Sequence, residues 1–169
     1  MSDIFDFIDS MDAKAGDSEF DFKEQMVVGD VGEKDFVRCY PNLTPQKSKN
    51  LAWDFNLNTG MTVELKTDDY PMSKTPNFFM ETVSDTKSGK LGGPFRAFDD
   101  GVNFFVYYFL RDKTFFWFET DKLHAKLKEL IETGQFPLKS VQNRNWVTQG
   151  YAIPRKLLES IIHHQDYFP

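Results

Sequence analysis

DFNLNTGMTVELK, residues 54–66, is the stretch of the chain that decides the fold. Apolar and polar residues alternate on both sides of a turn signal at residues 58–60, a pattern typical of two strands joined in a hairpin. Successive side chains on a strand point to opposite faces, so Glu64 and Lys66 share one face. We expect the hairpin to bring Asp54 beside Glu64. Two carboxylates and an ammonium would then meet at one point on a sheet.

The composition predicts one folded domain with a substantial core. The chain has 169 residues, of which 18 are Phe, and aromatic content this high argues against disorder over most of its length. Its single cysteine, Cys39, excludes an internal disulfide and suits a reducing cytoplasm. The first residues lack the basic region of a signal peptide, and apolar runs such as 104–110 are too short to span a bilayer. We therefore expect a cytoplasmic protein without a membrane partner.

The negative charge is concentrated at the start of the chain. Of the formal net charge of −6, all is accounted for by residues 1–24, which hold eight acids and two lysines. We interpret residues 1–24 as an acidic N-terminal arm and residues 25–169 as a single domain. Two readings of the arm stay open. It is either a mobile tail or docked helix, or a segment that engages a partner or covers a basic groove of its own domain.

The pattern of the remaining chain alternates between strands and helices. The expected elements are a helix from about Val27 that ends before Pro41, the hairpin, a strand at 77–84, a short helix at 95–100, an aromatic hairpin at 103–110 and 114–120, a helix capped by Asp121 and running to Glu132, a strand within 143–153, and a closing helix at 154–163. This order predicts an α/β fold of the mixed α+β type. We expect a central four- to five-stranded mixed sheet with flanking helices.

Two further glutamates are candidates for the same site. Glu33 is either a first-turn acid favoured by the helix dipole or a site carboxylate that reaches the hairpin, and the sequence pattern favours the first. Glu81 lies in an apolar strand and is either a half-exposed edge charge or an inward carboxylate, with neither favoured. His163 and His164 have no further ligand at metal-binding spacing, so we expect them on the surface.

The acid-x-base triplet is informative only through its setting. It occurs four times in the chain, whereas chance would give about three. Only Glu64-Leu65-Lys66 lies in an apolar strand and follows another acid, Asp54, across a turn. The alternative is an exposed salt bridge on an edge strand, which would contribute about 0 to 1 kcal/mol to stability.

Asp54, nine intervening residues and then Glu64-Leu65-Lys66 resemble the D-x(n)-(D/E)-x-K signature of the PD-(D/E)XK nuclease superfamily. Trp53 stands where that family often has proline. The chain is similar to small phage and bacterial nucleases of the superfamily over about residues 27–120. Within that range Gly32-Glu33 resembles the helical glutamate of the family, and Glu81 resembles a further glutamate on the strand after the lysine.

The resemblance implies a restriction-endonuclease-like core and a metal-dependent deoxyribonuclease. One reading is that a phage encodes the enzyme, which would then act in the host cytoplasm. It implies DNA as the partner, and it leaves a single chain and a homodimer both open. Mg²⁺ or Mn²⁺ would be held by Asp54, Glu64 and the Leu65 carbonyl. The implied catalytic residues are Asp54, Glu64, Lys66, Glu33 and Glu81. The alternative is a non-catalytic interaction protein that keeps the fold and whose acidic arm binds a basic partner or mimics DNA.

Overall fold

The structure is a computed structural model in which residues 18–46, 51, 53–143 and 145–169 are described. Its elements in chain order are α1 (Ser18–Cys39), β1 (Thr44–Pro45), β2 (Phe55–Asn56), β3 (Thr62–Asp68), β4 (Asn77–Asp85), β5 (Lys90–Leu91), α2 (Gly93–Asp99), β6 (Phe104–Phe109), β7 (Thr114–Glu119), α3 (Thr120–Glu132), β8 (Lys139–Gln142), β9 (Val147–Pro154), two 3₁₀ turns (Arg155–Leu157 and Glu159–Ile161) and β10 (Ile162–Tyr167). Most of the predicted acidic arm, residues 1–17, lies outside the described residues.

The larger of two sheets has six strands in the order β1-β2-β3-β6-β7-β10. All neighbours are antiparallel except β3 and β6, which run parallel. This mixed sheet and the helices confirm the predicted α/β class of the mixed α+β type. The predicted count of four to five strands was too low. The two-residue strand β1 and the largely exposed strand β10 are formed by pairing rather than by a recognisable local pattern.

The predicted strand at 77–84 is confirmed as β4, but it lies in a second sheet. That sheet is antiparallel throughout, in the order β5-β4-β9-β8. β4 does not join the central sheet beside β3, because β3 already has β2 on one side and β6 on the other. The long connection from β3 through β4 and α2 to β6 is the crossover that a parallel pair requires.

The predicted aromatic hairpin forms the centre of the molecule as β6 and β7. Phe105, Tyr107 and Phe109 belong to one core cluster, whereas Val106 and Tyr108 belong to the cluster on the opposite face of the sheet. All five are at most 1% exposed. The unalternating apolar run therefore did indicate strands covered on both faces. The second sheet, α2 and α3 contribute to the first cluster, and α1 contributes to the second.

The chain end differs from the predicted closing helix. After Pro154 there are only two 3₁₀ turns, and Ile162–Tyr167 then pairs antiparallel with β7 as an edge strand. Helical spacing was overridden by the open edge of β7, which offers a full row of backbone partners. His163 and His164 are exposed on this strand, as expected.

Helix α1 ends at Cys39, before Pro41 as predicted, but it begins at Ser18. The boundary that we placed after residue 24 therefore falls inside a continuous helix. Helix α3 begins at Thr120 with Glu119 at the capping position, so Asp121 is a first-turn acid rather than the cap. None of the described helices is long and apolar enough to cross a membrane.

Candidate active site

The hairpin brings the two predicted carboxylates together. Phe55 pairs with Val63, and the backbone N–H of Asp54 donates to the Val63 carbonyl oxygen at 2.9 Å. Immediately beyond, Leu65 N–H donates to Asp54 Oδ2, also at 2.9 Å. The Asp54 carboxylate is thus held against β3 at the level of Glu64. The expectation that the turn would place these two acids side by side is confirmed.

A glycine contact holds Glu81 at the same place. A Cβ atom added to Gly92 would lie 2.0 Å from Glu81 Oε1, and one added to Gly93 would lie 2.9 Å from the Glu81 carbonyl oxygen. Only glycine permits the start of α2 to approach β4 this closely. Gly92 and Gly93 therefore pack directly on Glu81. The Glu81 side chain is partly buried, so it is not simply an edge charge.

Another glycine brings Glu33 to the site. Gly32 lies against β3, where an added Cβ would be 1.9 Å from Thr67 Oγ1. Glu33 follows at the exposed rim. Since α1 begins at Ser18, Glu33 lies well inside the helix, and the favoured reading as a first-turn acid was wrong. The alternative, a carboxylate facing the hairpin, agrees with its position.

All five predicted catalytic side chains line one cleft of about 730 Å³ between the two sheets and α1. Its described lining is formed by Val28, Gly29, Glu33, Asp54, Glu64, Leu65, Lys66, Thr67, Asp68, Asp69, Tyr70, Phe79, Glu81, Tyr107, Val141, Asn143 and Thr148. The carboxylates thus come from α1, the hairpin and β4. This volume is typical of a ligand-binding cleft.

Burial and mutual repulsion set the protonation of the central pair. Burial raises the pKa of the Glu64 carboxyl well above its usual range, and the neighbouring Asp54 charge raises it further. Burial also raises the pKa of Asp54, but the Leu65 N–H, the Glu64 carboxyl and the Arg96 charge lower it. The hydrogen bond between the two carboxyl groups acts in opposite directions, because it raises the pKa of Glu64 and lowers that of Asp54.

The outer carboxylates also have raised pKa values. For Glu81, burial raises the pKa and the Lys66 ammonium partly lowers it. For Glu33, burial is again the largest cause, followed by the charges of Asp54 and Asp30. Lys66 therefore acts electrostatically on both Glu64 and Glu81. A cluster of acids with raised pKa values around one lysine is the kind of environment found at functional sites.

Three residues of the site were not predicted from the motif. Asp68 Oδ2 accepts a hydrogen bond from Tyr107 OH at 2.5 Å, and Tyr107 OH accepts one from the Phe79 N–H at 3.2 Å. This chain of contacts ties the end of β3 to β4 across the two sheets. Arg96, from α2, supplies positive charge to Asp54 and Glu64. The only signal for Asp68 was its place on the face shared by Glu64 and Lys66. Arg96 was one of several basic residues that could lie on the side of the site, and nothing in the sequence marked Tyr107.

We predict that Glu64→Gln stabilises the metal-free protein at alkaline pH. A carboxyl whose pKa is raised on folding stabilises the fold below its unfolded pKa, and this contribution is lost as pH rises through the folded pKa. Glutamine stays neutral, so the variant should gain about 1 to 3 kcal/mol over wild type at pH 8, or about 2 to 10 °C in melting temperature.

Thermal melts from pH 4 to 9 in a chelator measure this effect as the difference between wild type and variant. Glu132→Gln, at the exposed end of α3, is the matched control and should follow wild type. If the melting temperatures of wild type and Glu64→Gln change with pH in the same way, a raised pKa of Glu64 is contradicted.

Comparisons of the chain with models of protein families, with curated proteins and with solved structures find no match. Membership of the PD-(D/E)XK superfamily therefore stays a prediction from the motif. Among the described residues, no three His, Cys, Asp or Glu side chains form a ready group for a metal ion. The paired acids Asp54 and Glu64 and the side chains around them are therefore the features that bear on function.

Proposed function

We propose that the protein is a metal-dependent deoxyribonuclease that hydrolyses phosphodiester bonds. The observation that carries the proposal is the meeting of Asp54, Glu64 and Lys66 in one cleft, with Glu33 and Glu81 at its sides. A structural salt bridge does not account for this arrangement, because Glu64 is buried against another acid rather than paired one-to-one with a base. Buried like charges cost stability, which is typical of functional sites.

The central pair fits a divalent cation. The Asp54 charge raises the pKa of the neighbouring Glu64 carboxyl, so the pair needs a positive counter-charge, and a cation can supply it in place of a proton. Carboxylate and carbonyl oxygens are the ligands that Mg²⁺ and Mn²⁺ prefer. Asp54, Glu64 and the Leu65 carbonyl would hold the ion, with water as the remaining ligand. Bound there, the ion would supply a more acidic water and would neutralise charge on the phosphate.

The side chains around the pair have separate tasks. The Leu65 N–H fixes the orientation of the Asp54 carboxylate before any ligand arrives. Lys66 would donate to a phosphate oxygen and stabilise the charge that develops as the bond breaks. Glu81 and Glu33, with raised pKa values, would accept a proton from water or hold that water in line. No covalent intermediate is required.

The test is cleavage of plasmid and linear DNA in Mg²⁺ or Mn²⁺ by wild type and Lys66→Ala. We expect the variant to be at least about 10²-fold slower, as when a single donor to a developing oxyanion is removed. Lys74→Ala is the matched control, because Lys74 is exposed in the β3–β4 loop and lies outside the cleft lining. Equal rates for wild type and Lys66→Ala would reject a catalytic Lys66. Wild type without any cleavage would reject the nuclease and favour the interaction protein.

A further inference from the structure

We propose that the cleft takes a single-stranded segment of DNA, with an unpaired base stacked on Tyr70 at the end of the cleft. The inference rests on the proposed function for the position of the phosphate chain near Lys66. It adds a substrate class and a base-binding subsite, neither of which the catalytic residues specify.

Tyr70 is a large aromatic side chain that lines the cleft and is nevertheless 53% exposed. It lies just beyond the end of β3, the strand that carries Glu64 and Lys66. Val141, 41% exposed on the edge strand β8, and the partly buried Phe79 line the same cleft. An exposed aromatic ring in a cleft with further apolar lining is a surface on which any base can stack, because every base has a π face.

The loop that carries Tyr70 is held on several sides. The Tyr70 N–H donates to Asp68 Oδ1 at 2.9 Å, and the Met72 N–H donates to Asp112 Oδ2 at 2.7 Å. Arg111 Nε donates to the carbonyl oxygen of the residue before Tyr70 at 2.8 Å. The exposure of this ring is therefore set by a braced backbone. A pre-positioned ring loses little conformational freedom when it binds a base.

The spacing along β3 matches a short run of nucleotides. From Lys66 to Asp68, the last residue of β3, the strand advances about 7 Å, at ~3.3 Å per residue, and Tyr70 follows two residues later. A stacked strand advances about 3.4 Å per nucleotide, so a phosphate near Lys66 and a base on Tyr70 would be a few nucleotides apart. Asp68 uses both carboxylate oxygens within the protein, on the Tyr70 N–H and the Tyr107 hydroxyl. It therefore serves to shape this end of the cleft.

Size and charge both favour one strand over two. The cleft volume of about 730 Å³ lies in the range of sites that enclose small molecules, so a short piece of one strand can be accommodated. The described lining has six carboxylate side chains, one of which, Asp69, pairs with Arg111, and one ammonium, Lys66. Duplex DNA carries one negative charge per ~1.7 Å of axis, twice that of one strand of the same helix, and is repelled more strongly. A frayed end or a single-stranded tail therefore enters this cleft more readily than a duplex.

The test is binding of fluorescein-labelled oligo(dT) and of a blunt duplex of equal length, measured by fluorescence anisotropy in Ca²⁺. Tyr70→Ala should weaken oligo(dT) binding at least about 5-fold, the lower end of base–aromatic stacking. Tyr70→Leu, which keeps bulk without a ring, should weaken it similarly, and Tyr70→Phe should bind within about twofold of wild type. Tyr167→Ala, a 67% exposed tyrosine outside the cleft lining, is the control and should bind like wild type.

Three results would overturn the inference: no binding of oligo(dT) by wild type, tighter binding of the blunt duplex, or equal binding by Tyr70→Ala, Tyr70→Leu and wild type. Cleavage in Mg²⁺ or Mn²⁺ is measured separately. If no DNA is cut but oligo(dT) binding depends on the Tyr70 ring, the nuclease proposal fails and the single-strand site stands. If DNA is cut without such dependence, the nuclease stands and the Tyr70 subsite fails.

Discussion

Asp54→Asn is expected to slow DNA cleavage about 10³-fold, which corresponds to roughly 4 kcal/mol of transition-state stabilisation. The amide oxygen can still accept the hydrogen bond from the Leu65 N–H, so the side chain can keep its orientation. It carries no negative charge, however, and offers a poor ligand to a divalent cation. Initial rates of plasmid cleavage in Mg²⁺ and Mn²⁺ measure the loss, and titration calorimetry with Mn²⁺ should show weakened ion binding.

The control for Asp54→Asn is Asp99→Asn, the same change of acid to amide at an exposed residue at the end of α2. It should cleave DNA at the wild-type rate. Melting curves separate a loss of catalysis from misfolding. Asp54→Asn removes the Asp54 charge that lies beside Glu64, so the variant should melt no lower than wild type in a chelator. Wild-type cleavage by Asp54→Asn, or equal Mn²⁺ binding, would contradict the role assigned to Asp54.

The parts of the fold that could be predicted are those with a local pattern. The β2–β3 hairpin was predicted from its turn, where Gly60 has a φ of +86°, and the β6–β7 hairpin from its run of aromatics. The parallel pairing of β3 with β6 joins segments about 40 residues apart, and no local signal reports it. The prediction of a closing helix was wrong for the same reason, because pairing of the chain end with β7 outweighed a weak helical pattern.

The residues of the candidate site also fall into those that a local pattern predicts and those that depend on long-range packing. Asp54, Glu64 and Lys66 lie on one hairpin, so their spacing was enough to predict that they meet. Glu33 and Glu81 were candidates with a second reading left open, and their positions in the cleft depend on how α1 and β4 pack on β3. Tyr107 and Arg96, together with the shaping contact of Asp68, come from that packing alone. The sequence therefore predicts the candidate catalytic residues but not the other residues that line the cleft and determine what can enter it.

The second large effect concerns Gly32, the point at which α1 touches β3. In Gly32→Ala the new Cβ would meet Thr67 Oγ1 at 1.9 Å, Cγ2 at 2.7 Å and Cβ at 2.8 Å. Rotation of the threonine cannot relieve all three contacts, because its own Cβ is fixed to the strand. The helix must move away, at a net cost of about 1 to 3 kcal/mol, or about 2 to 10 °C in melting temperature. Cleavage should slow as well, since Glu33 moves with the helix.

Gly29→Ala is a control one turn earlier on the same helix, with nothing within 4 Å of the added Cβ. It should raise stability by about 0.5 to 1 kcal/mol through better helix propensity. Two identical substitutions in α1 are thus expected to shift the melting temperature in opposite directions. Adding Thr67→Ala to Gly32→Ala removes the two shorter contacts and should recover part of the loss, so the two changes should not be additive. Additive losses, or a stabilised Gly32→Ala, would mean that α1 does not rest on Thr67 and that Glu33 is not held at the cleft.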